Sequence, residues 1–474
     1  MGGGDSLGIP CDGLTWLLAA VAVLLWVISV RLCFRSGRTG WHAILLSLFG
    51  FTWVAFGVDY IARFAVIAVD SVTYGNKTTR LASVTQSDVN KALVLVVVFW
   101  AALSLGYAIT VARKGPGLFA VFNRTGEVLT RGKTDLLCAL SVVAMLLLNR
   151  TFFPRALFTP LGLLGLLWIP AATMQWVQDD SSLQNARGAW IRRWVYLFPG
   201  LFWFYLDPYR ERLIQIVVIL FIAVTFHGRR IRLATIVLGG MMFFLTITIL
   251  TSAYRDIVWS GGSSDSELKM TGWSDWMEDP YTSPWAEALR RFHALDSLIL
   301  TVKYVPDRFP YQERNLVVET FVRAFVPRAL YPEKGDIARG RIFAATIWGY
   351  GDVPVSSMIA PSVVGDLYSV YGPILVISGG LVWGLLLGVL EGWKDKLRPP
   401  YGLVILTFLG LGCALGLEQD FAHATATILQ KIVVLCFAFL LLLPARTRIP
   451  HALADNVSAE PIWKDRLKHE ETGV

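Results

Sequence analysis

Long apolar runs alternate with short polar turns along most of the chain. Runs at 14–33, 41–58, 91–112, 136–153, 156–174, 233–250, 371–390 and 426–443 suit a helix crossing roughly 30 Å of hydrocarbon at about 1.5 Å of rise per residue. Three shorter runs lie at 194–206, 213–226 and 402–417. The pair 194–206 and 213–226 predicts either two short spans or one re-entrant hairpin, and both options leave the sidedness of later spans unchanged. The expected fold class is an all-α polytopic membrane protein of about eleven transmembrane helices. Eight fall in 1–250 and three in 359–448; a large outer loop spans 251–358, and a polar tail, 449–474, closes the chain.

Composition agrees, with 55% hydrophobic and only 16% charged residues in 474, against about a quarter charged in soluble domains. The net charge of +8 reads as topology, not nucleic-acid binding, because the basic residues gather in short loops. Arg31, Arg35 and Arg38 follow the first span, and Arg113, Lys114, Arg124, Arg131 and Lys133 the third. Arg187, Arg192 and Arg193 follow the fifth, Arg229, Arg230 and Arg232 the seventh, Lys394, Lys396 and Arg398 the ninth, and Arg446 and Arg448 the last. Six alternating clusters predict an outside amino terminus and a cytoplasmic carboxyl terminus. Two aspartates and no lysine or arginine precede the first span, so it is predicted to be retained, not cleaved as a signal.

The loop 251–358 falls outside, where long loops are exempt from the charge rule. Loops of this length are uncommon unless functional or disordered, and the aromatics Trp273, Trp276, Tyr281, Trp285 and Phe292 argue against disorder. Apolar residues at 285, 289, 292, 295, 299 and 302 recur at helical spacing until Pro306. They predict an amphipathic helix lying on the membrane as a platform or packed beneath one. Further helices are predicted over Leu316 to Phe325, stopped by Pro327, and Ile337 to Trp348.

No phosphate-binding glycine loop, HExxH, GxSxG or CxxC motif is present. The five scattered cysteines and six histidines lack disulfide or metal spacing, so no metal and no cofactor are expected. The chemistry-bearing stretch is Arg323 to Arg341, whose prolines, Pro327 and Pro332, stiffen a turn presenting Arg328 and Lys334. Such a turn suits a diphosphate, since arginine offers a bidentate fork; the same cations also suit anionic headgroups beside an interfacial helix. Arg255, beside Asp256 at the outer end of the eighth span, is a further candidate or a snorkelling anchor. Arg290 and Arg291 point apart, so at most one of them faces a site. Carboxylates that would serve as a general base are Asp256, Asp296, Glu319, Asp366, Glu418 and Asp420.

The stretch Phe325-Val-Pro-Arg-Ala-Leu-Tyr-Pro-Glu-Lys334, then Gly340-Arg-Ile-Phe343, then Ala360-Pro-Ser-Val-Val-Gly-Asp-Leu-Tyr-Ser-Val-Tyr-Gly372 resembles the oligosaccharide repeat-unit polymerases, also called O-antigen or capsule polymerases. Asp366 stands where that family would have glutamate. The resemblance implies a metal-independent, GT-C-like glycosyltransferase of the bacterial inner membrane, with a glycan on polyprenyl diphosphate as donor and another lipid-linked unit as acceptor. It further implies a chain-length regulator and a flippase as partners. On this reading Arg328, Lys334 and Arg341 hold the diphosphate with Arg255 or Arg291, and Asp366 or Asp256 is the base. Trp273, Trp276, Tyr281 and Trp348 would stack on sugars or pack at the membrane interface. The alternatives are an O-antigen ligase-like transferase, an exporter of lipid-linked glycans, and a scaffold. An exporter would carry polar residues inside several spans, and the runs here are nearly free of charge.

Overall fold

The structure, a computed structural model, describes residues 11–36, 41–65, 83–112, 131–148, 158–177, 186–206, 210–226, 293–326, 330–331, 339–348, 360–397 and 399–442. Every regular element among them is helical. Among the described residues, six helices are long and apolar enough to cross a membrane: Gly13–Phe34, Leu48–Ala65, Gln86–Val111, Pro373–Lys396, Pro400–Glu418 and Phe421–Leu441. Their free surfaces are apolar, as in Leu17, Leu24 and Ile28 of the first and Val433, Phe437 and Leu440 of the last. Polar groups such as Thr15, Ser29, Glu391, Lys394 and Lys431 are buried instead. That arrangement suits lipid, where ionisable groups face the bundle interior, and the chain is a helical membrane protein.

The elements that build the bundle are α1 (Gly13–Ser29), α2 (Leu48–Phe56), α3 (Gln86–Ala112), α4 (Arg131–Leu147), α5 (Phe158–Gly165) and α6 (Trp168–Val177). They continue with α7 (Ala186–Val195), α8 (Phe198–Leu206), α9 (Arg210–Phe226), α10 (Ala294–Tyr304), α11 (Leu316–Phe325), α12 (Val363–Tyr371), α13 (Pro373–Lys396), α14 (Pro399–Leu415) and α15 (Phe421–Leu442). The expected span at 233–250 lies outside the described residues. The second span begins later than its apolar run because Trp41–Leu45 forms a separate short helix and Ser47 caps α2 by accepting from Gly50 N.

α3 and α13 form the centre of the bundle. A glycine stripe on α13 brings their backbones together: a Cβ on Gly384 would lie 2.0 Å from Leu103 O, and one on Gly380 2.7 Å from Phe99 O. From the other side, a Cβ on Gly106 would meet Leu381 O at 2.3 Å. Small residues four apart permit such close approach in lipid, where helices associate by contact and not by the hydrophobic effect.

The bundle has two chemically distinct ends. At one, Glu391 of α13 accepts from Leu48 N at 2.7 Å and pairs with Lys394 at 2.9 Å, and Lys394 donates to Leu46 O at 2.8 Å. This buried pair satisfies backbone groups orphaned at the start of α2. At the opposite end lie the start of α1, where Thr15 meets Asn90 of α3 at 2.6 Å, the end of the second span, and the turn between α14 and α15. The segment 293–371 folds against this second end, with α10 on α3 and α12, and α11 along α15.

α10 ends at Tyr304, ahead of Pro306 as the pattern predicts, but it is no surface platform. Every residue from Ala294 to Tyr304 except Lys303 is buried. The reason is Arg63, at the end of the second span, whose guanidinium forks onto the Asp296 carboxylate at 2.8 Å and 3.2 Å. A partner for the polar side lets the helix bury all round.

α8 and α9 form a hairpin. The nine residues of α8 rise about 13 Å, under half of a crossing. Trp203 of α8 packs on Gly165 at the junction of α5 and α6, and the Arg212 guanidinium of α9 covers Trp203 at 3.8 Å.

Candidate functional site

Asp366 is placed by a short, rigid entry. Ser362 caps α12, its hydroxyl accepting from Gly365 N, and holds φ at 63°, a conformation costly for any residue but glycine. Gly372, at φ 67°, then turns the chain into α13. Asp366 therefore sits one turn into α12, with its side chain 2% exposed, pointing at the start of α15.

Its carboxylate accepts from Arg314 Nη1 at 2.9 Å and from Phe421 N at 3.0 Å. Arg314 also binds Glu319, and Glu319 binds Arg323 one turn along α11. Arg323 Nη1 meets Asp420 Oδ1 at 2.7 Å, and Asp420 caps α15 by accepting from His423 N at 2.9 Å. Three carboxylates thus alternate with two guanidinium groups across the segment 314–323, α12 and the α14–α15 turn. Burial and the nearby Asp420 carboxylate push the Asp366 pKa up to about 7, against the opposing effect of Arg314. A carboxyl that titrates near neutrality can take a proton from a hydroxyl.

Arg314 is largely buried, and its Nε finds no acceptor among the described residues. Beside it lies a cavity of about 520 Å³ lined by Arg314, Asn315, Val318, Glu319, Val322, Val326, Leu330 and Tyr331. Among the described residues, no three His, Cys, Asp or Glu side chains gather closely enough to hold a metal ion.

Of the residues singled out from sequence, Asp366, Glu319, Asp420 and Arg323 come together. Asp296 does not join them, being held by Arg63. Trp348 is buried in the apolar core at 7% exposure, so its ring packs on protein and offers no open face to a sugar. The backbone of Arg341 lies in the short helix Arg339–Phe343, and its side chain lies outside the described residues. Arg255, Asp256, Trp273, Trp276, Tyr281, Arg291, Arg328 and Lys334 lie outside them as well. Among the described residues the cation that meets Asp366 is Arg314, which sequence reasoning passed over. Its one legible signal is its place before the helix cap Asn315, on the polar side that continues through Glu319 and Arg323.

No curated protein and no solved structure matches the chain. Residues 181–447, which run from α7 through α15 and include the whole Asp366 cluster, match a family described as a domain of unknown function, DUF8712. That match covers more than half of the 474 residues, and the chain belongs to the DUF8712 family.

Proposed function

We propose that this chain is a membrane glycosyltransferase that polymerises polyprenyl-diphosphate-linked oligosaccharide units on the outer face of a bacterial inner membrane. The observation that carries the proposal is the buried Asp366 carboxyl, poised near neutral pH beside Arg314 at the end of the bundle where the long segment folds in. The sequence resemblance around 325–372 points the same way. In this reading about eleven spans place that end outside.

Asp366 takes the proton of the acceptor hydroxyl. The acceptor oxygen then bonds to the anomeric carbon as that carbon's bond to the diphosphate breaks, and the lipid diphosphate leaves with the electron pair. Among the described residues the cluster carries one more carboxylate than guanidinium, which suits a base. The cations for the leaving group are Arg328, Lys334 and Arg341 with Arg255 or Arg291, and charge stabilisation by such groups needs no proton transfer.

A second reading, an exporter of lipid-linked glycans, gains from charge inside the spans that hydropathy alone did not suggest. Lys431, midway along α15, pairs with Glu211 of the α8–α9 hairpin at 3.3 Å, and short helices meeting at mid-depth are a transporter device. Purified protein given lipid-linked repeat units, without nucleotide or divalent metal, separates the two. A ladder of longer glycans supports the polymerase. Translocation across vesicles with no ladder supports the exporter and overturns the polymerase.

A further inference from the structure

The helix α11 (Leu316–Phe325) is inside out by soluble standards. α11 turns its charged side, Glu319 and Arg323, onto protein and leaves Val317, Val318, Phe321 and Phe325 between 49% and 66% exposed. Leu330, just beyond it, is 78% exposed. An isolated apolar face of this kind leaves its covering open, but three further observations fix it.

The first is depth. Gln430 of α15 donates its side-chain amide to Arg323 O at 3.2 Å and to Ala324 O at 3.1 Å. Gln430 is nine residues beyond Phe421 and next to the middle of the candidate span Phe421–Leu441, so it lies about 13 Å below the Asp366 end of that span. The start of α11, by contrast, is tied to Asp366 at the end itself through Arg314. The helix therefore descends along α15 instead of resting across its top.

The second is the identity of the cap. The last carbonyls of a helix have no partner within it; in water they are solvated, whereas in hydrocarbon each must find a protein donor. One glutamine side chain supplies both bonds here. The third is continuity: the exposed side of α15 beside it, at Val433, Phe437 and Leu440, is apolar as well.

We infer that α11 (Leu316–Phe325) dips from the Asp366 end towards the middle of the bilayer as the descending limb of a re-entrant segment, with Val317, Val318, Phe321, Phe325 and, beyond the helix, Leu330 against lipid acyl chains. Its partner is the lipid surface itself. The consequence for the site is a lateral opening, because the cavity beside Arg314 is walled by Val318, Val322 and Leu330 of this segment. The inference does not depend on the glycosyltransferase reading.

The test uses the full chain in phosphatidylcholine vesicles, its five native cysteines replaced, with a nitroxide label at one of Glu313→Cys, Val317→Cys, Phe321→Cys or Phe325→Cys. Collision rates with oxygen and with a water-soluble nickel chelate report depth. Oxygen should dominate increasingly from 317 through 321 to 325, with 325 deeper than 317 by up to about 12 Å, the full rise of eight helical residues, and nickel should dominate at 313. Equal interfacial depth at all three helix positions would overturn the inference, since the helix would then lie flat. Nickel access throughout would overturn it as well. So would low access to both reagents, with spin–spin broadening if a second copy covers the face and without it if another segment of the chain does.

Discussion

Replacing Arg314 by glutamine should shift the titration of Asp366 upward and so expose the electrostatic design of the cluster. In the native arrangement the guanidinium lies 2.9 Å from the carboxylate and opposes the burial and the Asp420 charge that bring the pKa to about 7. Losing a charge partner at this range typically moves a carboxyl by roughly one to three units, or about 1.4 kcal/mol per unit. At pH 7 the ionised fraction would fall from about half to roughly a tenth or less. The assay is infrared difference titration of the protonated-carboxyl stretch, assigned by its loss in Asp366→Asn. The same carboxyl sets a stability window. Folded, it keeps its proton to about pH 7; unfolded, it would release it near pH 4. The folded state therefore binds more protons between those values, and this contribution, fully present below about pH 4, is lost as pH rises towards 7. An Asp366 midpoint that stays put or falls in Arg314→Gln would refute the reasoning.

Two further substitutions probe the scaffold. Gly384→Val places a Cβ 2.0 Å from Leu103 O where about 3.4 Å is ordinary, so α3 and α13 must part; a marked loss of thermal stability in detergent is expected, of the 1–3 kcal/mol order or more seen for overpacking, and an unchanged melt would contradict the close approach. Arg63→Leu alone strands the buried Asp296 carboxylate at a cost of roughly 3–5 kcal/mol, whereas Arg63→Leu with Asp296→Leu should recover most of it. A double variant no more stable than the single one would show that the pair does more than neutralise itself.

How much of this was legible beforehand follows from the range of the interactions involved. The spans announce themselves because hydrocarbon selects composition over a whole helix, and the runs at 371–390, 402–417 and 426–443 correspond to α13, α14 and α15. Local punctuation also reads well: Pro306 and Pro327 follow closely on the ends of α10 and α11. What fails is whatever rests on a distant partner. Arg63 and Asp296 are 233 positions apart, so the apolar spacing of α10 looked like one face of a surface helix. Glu211 and Lys431, 220 apart, kept a buried charge out of view in the same way. Trp348 reads as a candidate for sugar stacking or interface packing only while its burial in the apolar core is unknown. At the site, Asp366 stood out as a carboxylate just ahead of a predicted span and inside the stretch that carries the family resemblance, and Asp420 through its place in the short turn between two predicted spans. Arg314 did not, because a lone arginine in Tyr311-Gln-Glu-Arg-Asn315 carries no motif; its role comes from α11 descending along α15.

The most direct measurement is glycan chain length made from purified lipid-linked repeat units by the wild-type chain and by Asp366→Asn, which keeps the side-chain shape but cannot accept a proton. The expected result is a ladder from the wild type that collapses in Asp366→Asn and returns in part, with its pH profile displaced, in Asp366→Glu. An undiminished ladder from Asp366→Asn would contradict the proposed role of Asp366 as base.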